Sequence, residues 1–423
     1  MFKNVLLILA LFSIFSRMDF ILPSGAIIWA FPSIILGASY FIKNIQIIKN
    51  KMVFKKVIYL ILSYILLITY HVAFNGQKVP IFNIFHIVTF ILVGFILMVE
   101  VSRLDRIKTA KFLKTIIPLL LLFSVLEITT PFLNLLVLIK GLFLSYSDYS
   151  SQLRDMQLHG GAIRPMFLFQ EPSHFALFYS FLLGTFFMLS ENKHAFRHSL
   201  LFGFLGLLVI RSPISILGIV QIVILLNVKV DRIVKRGKVV TILFISLILG
   251  FLYLVSKAVI GARLEEIISF SGHSNLARIF IPLFTLFETL RIKPIMGLGL
   301  DFQSLDIALM LRQIGINFGL ELSSWKTAPE FLKNSFLQHW INFGLFGGAI
   351  ILFWMKEILI SLGLKKDMIV IFLIQAIMML GISAYADPRV WAIFFLNLGV
   401  LLIYYNRDQE NIKNVNKSMI SIS

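Results

Sequence analysis

The feature that most constrains this chain is its series of apolar runs, each close to the length that a bilayer requires. A membrane-spanning helix needs about 17 to 25 mostly apolar residues. Since 58% of the residues are apolar and 42 are Phe, the total exceeds what a soluble core buries. We therefore predict an all-α integral membrane protein. The predicted spans are 2–16, 20–42, 57–74, 79–99, 115–139, 166–190, 239–256, 337–354, 368–386 and 390–405, and the first is expected to be uncleaved because no clear cleavage site follows it.

One further apolar stretch, Ser199 to Val228, does not fit a single crossing. As one helix it would be about 45 Å long, and it would hold Arg211 in the middle of the span. Pro213 lacks an N–H and interrupts a helix, and broken membrane helices usually line a cavity. We predict two half-spans that meet at Arg-Ser-Pro, which gives about 12 crossings, or 11 if the stretch crosses once.

The excess of Lys and Arg over Asp and Glu predicts how the chain is oriented in the membrane. The net charge is +18, and in a membrane chain such an excess indicates cytoplasmic loops and anionic headgroups rather than nucleic acid. Counting Lys and Arg between the spans places both termini in the cytoplasm. The same count places 140–165 and a long loop at 257–336 outside, within a single polytopic domain of residues 1–423. Short amphipathic helices are expected in the long loop, on either side of a glycine turn at "PIMGLGLDF".

Basic side chains predominate near the predicted outer face. Arg164 and Arg211 each lie next to a proline at an interrupted apolar run, and Arg278 lies in a predicted interfacial helix. One guanidinium group can donate two parallel hydrogen bonds to the oxygens of a phosphate. This pattern therefore favours a lipid-linked diphosphate as the ligand. No clustered-carboxylate motif for Mg²⁺ is present in the sequence, and we predict a site that uses neither metal nor cofactor.

Two carboxylates accompany these cations. Glu171, in Glu-Pro-Ser, has the position of a helix N-cap and is also a candidate general base. Glu127 lies near the middle of a predicted span, where a carboxylate needs a hydrogen-bond partner or a polar cavity.

Several motifs together resemble a known family. "RPMFLFQEPSHFALFYSFLLG" is similar to the Arg and Glu-Pro-Ser motif of bacterial O-antigen polymerases, and "LLVIRSPISILGI" is similar to their interrupted apolar run, with Arg-Ser in place of Ser-Arg. "ARIFIPLFTLFETLRIKPIMGLGLDF" resembles the family's large periplasmic loop. "KNSFLQHWINFGLFGG" resembles its re-entry into the membrane, and the resemblance runs in order from Arg164 to Gly348.

The resemblance implies a GT-C-like membrane glycosyltransferase in the bacterial inner membrane, with its active site facing the periplasm. It would polymerise undecaprenyl-diphosphate-linked repeat units into O-antigen or a related surface polysaccharide, with a chain-length regulator as partner. Arg164, Arg211, Arg278 and Lys333 would contact phosphate. Glu171 or His339 would act on the acceptor hydroxyl, and Asn334 would hold a sugar or phosphate.

Two alternatives remain open. In the related O-antigen ligases a catalytic His occupies the position of Lys333, and the nearest His in this chain is His339. A flippase for the same lipid also fits a broken helix with internal charges, although carriers tend to show repeated halves and short loops.

Overall fold

A computed structural model describes most of the chain. The described residues are 2–16, 20–21, 27–28, 30–43, 51–75, 81–129, 164–165, 167, 169, 171–191, 194–212, 214–233, 280–300, 305–317, 332, 334–382 and 387–420. They cluster into two compact units: unit 1 comprises Met1–Lys43, Val93–Leu254 and Ala392–Ser423, and unit 2 comprises Asn44–Leu92 and Val255–Trp391.

The described structure is helical except for one short strand pair. The helices are α1 Phe2–Ser16, α2 Phe31–Lys43, α3 Lys51–Asn75, α4 Ile81–Ser102, α5 Arg106–Thr129, α6 Pro172–Leu189, α7 Ala195–Ile210, α8 Ser215–Ile233, α9 Ile281–Ile292, α10 Leu305–Asn317, α11 Ser335–Ser361, α12 Met368–Leu380 and α13 Pro388–Ile420. A 3₁₀ turn, Lys365–Asp367, precedes α12, and β1 Phe20–Ile21 pairs antiparallel with β2 Ile27–Ile28.

Six of the described helices are long and apolar enough to cross a membrane, and the protein is a multi-pass membrane protein. Their spanning segments are Met52–Phe74, Asn83–Ser102, Arg106–Ile128, Pro172–Leu189, Ser335–Ser361 and Pro388–Tyr405. This confirms the helical membrane class, since only helices and closed barrels satisfy their backbone groups within lipid. The predicted span at 239–256 lies outside the described residues.

Several predicted boundaries differ from the structure, and local signals explain why. The single span expected over 20–42 is wrong, because a strand pair precedes α2, and the sequence between the strands contains Pro23 and Gly25, which disfavour helix. Helix α5 begins well before residue 115 because Asp105 caps it, its Oδ1 accepting a hydrogen bond from the Lys108 N–H at 2.8 Å. Helix α12 ends at Leu380, before Gly381.

The predicted break in 199–228 is confirmed. Helix α7 ends at Ile210 and α8 begins at Ser215. Phe196, Leu200 and Phe204 of α7 pack against Ile219 and Val223 of α8, so the chain reverses and the two helices run antiparallel. A continuous helix would hold Phe196 and Val223 about 40 Å apart.

In unit 1, α7 and α8 both pack on α6, and glycines allow the close approach. Gly206 of α7 lies against the Tyr179 ring, Gly203 lies against Leu183, and Gly218 of α8 lies against Ser180. Small residues at helix contacts are typical of membrane interiors, where dispersion and close packing replace the hydrophobic effect. Helix α6 is buried along almost its whole length.

In unit 2, α3 packs along α11, and α11 also contacts α9 and α12. An ion pair between Lys56 and Glu357 links α3 to α11 at one end, and Tyr59 packs on Trp354 beside it. Helices α9 and α10 lie within the two stretches where short helices were predicted, and the glycine turn between them has Gly297 at φ +72° and Gly299 at φ +82°.

Candidate functional site

The structure brings two of the predicted site residues of unit 1 to one end of the α6–α8 group. Because Tyr179 lies on Gly206 and Leu183 lies on Gly203, α6 and α7 run antiparallel. Along α7, Arg211 lies about 7.5 Å beyond Gly206 toward the end of the helix. Along α6, Glu171 lies about 12 Å from Tyr179 toward the start of the helix, which is the same direction because the helices are antiparallel. Arg211, in the turn between α7 and α8, therefore lies at the same end as Glu171, which precedes α6.

Glu171 occupies the predicted N-cap position but does not use its carboxylate as a cap. Its backbone is extended, with φ −138° and ψ 151°, and its side chain makes no capping hydrogen bond. Instead Oε2 accepts a hydrogen bond from the Ser173 hydroxyl at 2.8 Å and lies 3.9 Å from Nε2 of His174. The carboxylate is 54% exposed, so it remains accessible to an incoming hydroxyl group.

Arg211 combines an exposed side chain with a strained backbone. It has φ +52° and ψ +34°, and its N–H donates to the Leu207 carbonyl at 3.1 Å. The left-handed conformation costs a non-glycine residue about 1–2 kcal/mol, and such strain concentrates at functional sites. Glycine at this position would remove the strain. The presence of arginine instead indicates that its side chain has a function other than stabilising the fold.

Arg164 lies half-buried before the same end of α6, in a segment held by a buried carboxylate. Oε2 of Glu127, which is 1% exposed, accepts a hydrogen bond from the Phe167 N–H at 2.7 Å. The Phe169 ring packs against Phe12 and Phe178 with centroids 5.0 and 5.3 Å apart. Glu127 thus has the hydrogen-bond partner that its position in a span requires.

Unit 2 contains a second unusual feature, a break in α11 that is filled by the glycine turn after α9. Gly344 is non-helical, with φ +62° and ψ −167°. In a regular helix the N–H groups of Leu345 and Phe346 would bond the carbonyls of Ile341 and Asn342. Here those two N–H groups donate to the carbonyls of the turn, at Pro294 and Ile295, over 2.8 and 2.9 Å.

The turn also donates hydrogen bonds to the helix. The N–H groups of Leu298 and Gly299 donate to the carbonyls of Ile341 and Asn342, each over 2.8 Å. The turn is therefore inserted into two steps of the helical hydrogen-bond ladder, and all four backbone groups on each side keep a partner. Non-helical backbone at membrane depth is tolerated under this condition. We call this arrangement, residues 294–299 with 341–346, the clasp.

Buried polar side chains cluster near the clasp, at the start of α11. The Asn334 side chain caps the helix by accepting from the Leu337 N–H at 3.1 Å. Gln338 donates to the Leu332 carbonyl, and the Ser335 hydroxyl donates to the Met379 carbonyl at 2.9 Å. These contacts give Asn334 a structural role that its sequence motif did not indicate.

His339 and Asn342 follow on the same helix and are also buried. His339 is 5% exposed, its Nε2 lies 3.2 Å from the Gly348 carbonyl oxygen, and its ring packs against Trp340 and Phe343. Asn342 is fully buried, and among the described residues neither atom of its amide has a hydrogen-bond partner. Polar side chains thus extend from the helix start into the break.

Sequence reasoning missed one charged pair. Arg389 is fully buried near the start of α13, where its Nε donates to Oδ1 of Asp387 at 2.7 Å and its Nη2 donates to Oδ2 at 2.5 Å. The signal was the Asp-Pro-Arg sequence between the last two apolar runs. Arg278 and Lys333, the remaining predicted phosphate ligands, lie outside the described residues.

No protein-family model matches the chain, and no curated protein matches it at a significant level. The assignment of a function therefore depends on the chemistry of the residues themselves.

Proposed function

We propose that the chain is a metal-independent membrane glycosyltransferase that polymerises undecaprenyl-diphosphate-linked oligosaccharide units at the periplasmic face of a bacterial inner membrane. The observation that supports this proposal best is that Arg211 and an exposed carboxylate, Glu171, lie at the same end of the α6–α8 group. Arg164 belongs to the segment that leads into that end. A cation and a base at one end of membrane-embedded helices are what transfer from a lipid diphosphate to a hydroxyl group needs.

The proposed chemistry is a displacement at the anomeric carbon of the donor. The acceptor sugar oxygen forms a bond to that carbon, and the bond from the carbon to the diphosphate oxygen breaks. The Glu171 carboxylate takes the hydroxyl proton, while Arg211 and Arg164 bind the departing diphosphate, which keeps the bonding electron pair. Preorganised guanidinium groups favour such a transition state because the negative charge on the leaving group increases as the bond breaks.

The other predicted residues keep subordinate roles in this proposal. Glu171 is preferred to His339 as the base because the carboxylate is exposed, whereas the imidazole is packed inside α11. Asn334 caps α11, so it would position that helix, and Arg278 and Lys333 remain proposed phosphate ligands. The partners would be the lipid-linked oligosaccharide, as donor and acceptor, and a chain-length regulator.

The test is the ladder of lipopolysaccharide chain lengths in cells that lack this gene. The wild-type chain should restore the ladder, whereas Arg164→Ala, Arg211→Ala and Glu171→Ala at matched expression should leave a core with a single repeat unit. Glu171→Gln, which keeps the size but not the basicity, should fail equally. Arg197→Ala removes an exposed arginine near the opposite end of α7 and should restore the full ladder.

Other products would overturn the proposal. Bare core with accumulated lipid-linked polymer after deletion would identify a ligase, and bare core with single units trapped inside would identify a flippase. A normal ladder with all three alanine variants would remove these residues from the site.

A further inference from the structure

Two unfavourable features meet where α5 contacts the segment that leads into α6. Phe167 has φ +49°, a left-handed conformation that is an outlier for a bulky residue. Its N–H donates to Oε2 of Glu127 at 2.7 Å, and Glu127 is 1% exposed near the end of α5. A left-handed aromatic residue and a buried carboxylate in a membrane span are each costly alone. The charge-assisted hydrogen bond between them offsets part of both costs.

The same face of α5 also holds the Phe167 side chain. Phe123 lies one turn before Glu127, and its ring stacks on that of Phe167 with centroids 6.0 Å apart and planes 27° apart. Two residues further on, Phe169 is fully buried. The segment is therefore fixed at two points between the proposed site residues that flank it.

The chain between Phe167 and Arg164 has little conformational freedom. Pro165 is buried, and its ring fixes its own φ. A residue before proline is restricted to an extended backbone, which limits Arg164 in turn. The position of Arg164 thus follows from that of Phe167, three residues later. Glu127 is too buried to reach an acceptor hydroxyl, so any effect on the reaction passes through this segment.

We propose that Glu127 is a positioning residue for the transfer reaction: by holding the Phe167 N–H, its carboxylate fixes the place at which Arg164 meets the diphosphate. This role requires an oxygen acceptor rather than a negative charge, because the group that it holds is a neutral N–H. The effect on the reaction rests on the proposed function, whereas the hold on the segment can be measured without activity.

Cysteine labelling measures that hold directly, since the chain contains no cysteine. Arg164→Cys is made alone and together with Glu127→Leu or Glu127→Gln, and the full-length protein in detergent is treated with a maleimide. Glu127→Leu removes the acceptor and should raise the labelling rate at least about tenfold. Glu127→Gln, whose amide oxygen accepts from the same N–H, should leave the rate unchanged. Arg211→Cys should label at one rate in all three backgrounds.

The lipopolysaccharide ladder tests the effect on the reaction. At matched expression Glu127→Leu should give at least about tenfold fewer polymerised chains, and Glu127→Gln should restore them. The matched control is Ser124→Ala, which removes another buried polar group of α5, a hydroxyl that donates within the same helix to the Leu120 carbonyl at 2.7 Å. This variant should restore the full ladder.

A second variant covers the case in which Glu127→Leu does not accumulate in the membrane. Phe123→Leu removes the half-buried ring that stacks on Phe167 and should likewise raise the labelling rate of Arg164→Cys. An unchanged rate in these variants would overturn the proposal. A lost ladder in Glu127→Gln with a normal labelling rate would also overturn it, by showing that the charge itself is required.

The two proposals can fail separately. A full ladder in Glu127→Leu, where Arg164→Ala has lost it, would overturn the positioning role alone. A full ladder in Arg164→Ala would overturn the role of Arg164 in the proposed function, and the labelling rates would still report whether Glu127 holds the segment.

Discussion

The backbone conformation of Arg211 lowers the stability of the folded protein, and its side chain does not take part in the packing between helices. Its guanidinium is exposed, and its φ of +52° is one that glycine adopts without cost. Glu127 shows the opposite case, a buried charge whose use is evident from its hydrogen bond to the Phe167 N–H. The Arg211 side chain is therefore one for which helix packing alone gives no reason.

This contrast predicts that Arg211→Gly separates stability from activity. The substitution should stabilise the protein by about 1 kcal/mol, because it removes the left-handed strain, and the variant should still fail to restore the lipopolysaccharide ladder. Thermal melting of the purified protein in detergent measures the first effect. Arg312→Gly makes the same exchange at an exposed position inside α10, and it should destabilise by about 1 kcal/mol. A lower melting temperature for Arg211→Gly would contradict the strain argument.

Helix α11 and the glycine turn form one structural element, although the turn precedes the helix by about 40 residues. Their backbones touch: a Cβ on Gly344 would lie 2.5 Å from the Gly297 nitrogen, and a Cβ on Gly297 would lie 2.4 Å from the Gly344 nitrogen. No side chain can move to relieve these contacts, so both positions require glycine. The clasp therefore holds the buried polar residues of α11 in a fixed position relative to the turn at 294–299.

We therefore expect Gly344→Ala to destabilise by about 2–6 kcal/mol, the sum of about 1–3 kcal/mol for a backbone conformation that essentially only glycine adopts and about 1–3 kcal/mol for backbone overlap. Gly363→Ala is the matched control, because Gly363 has a similar φ of +75° but no atom within 4 Å of the added Cβ. It should cost only the strain, about 1 kcal/mol. Melting curves in detergent compare the two, and equal shifts would show that the clasp contributes nothing beyond strain.

The complete molecule has a predicted orientation that its own composition makes easy to test. The chain contains no cysteine, so single cysteines can be labelled without background. A membrane-impermeant maleimide applied to the non-cytoplasmic side of the membrane should label Ser150→Cys and Arg211→Cys. It should reach Lys108→Cys only after the membrane is opened. Labelling of Arg211→Cys only from the cytoplasmic side would contradict the predicted in-and-out path of the α7–α8 hairpin.

The sequence by itself determined the membrane class, the break at Arg211 and the glycine turn. These are local properties: the length of an apolar run sets a span, a proline removes a donor, and a glycine permits positive φ. The prediction over 20–42 failed because apolar composition masked a local strand pair. Arg211 and Glu171 were predicted as site residues because charge is rare in the apolar runs of such a chain.

Only the tertiary structure decided which residues meet. The Glu127 carboxylate binds a backbone N–H 40 residues away, and the turn at 294–299 completes the hydrogen-bond ladder of α11. Each contact satisfies a polar group whose need for a partner is evident from the sequence. The sequence does not show which group will be that partner, because this depends on which helices lie side by side once their apolar faces are packed.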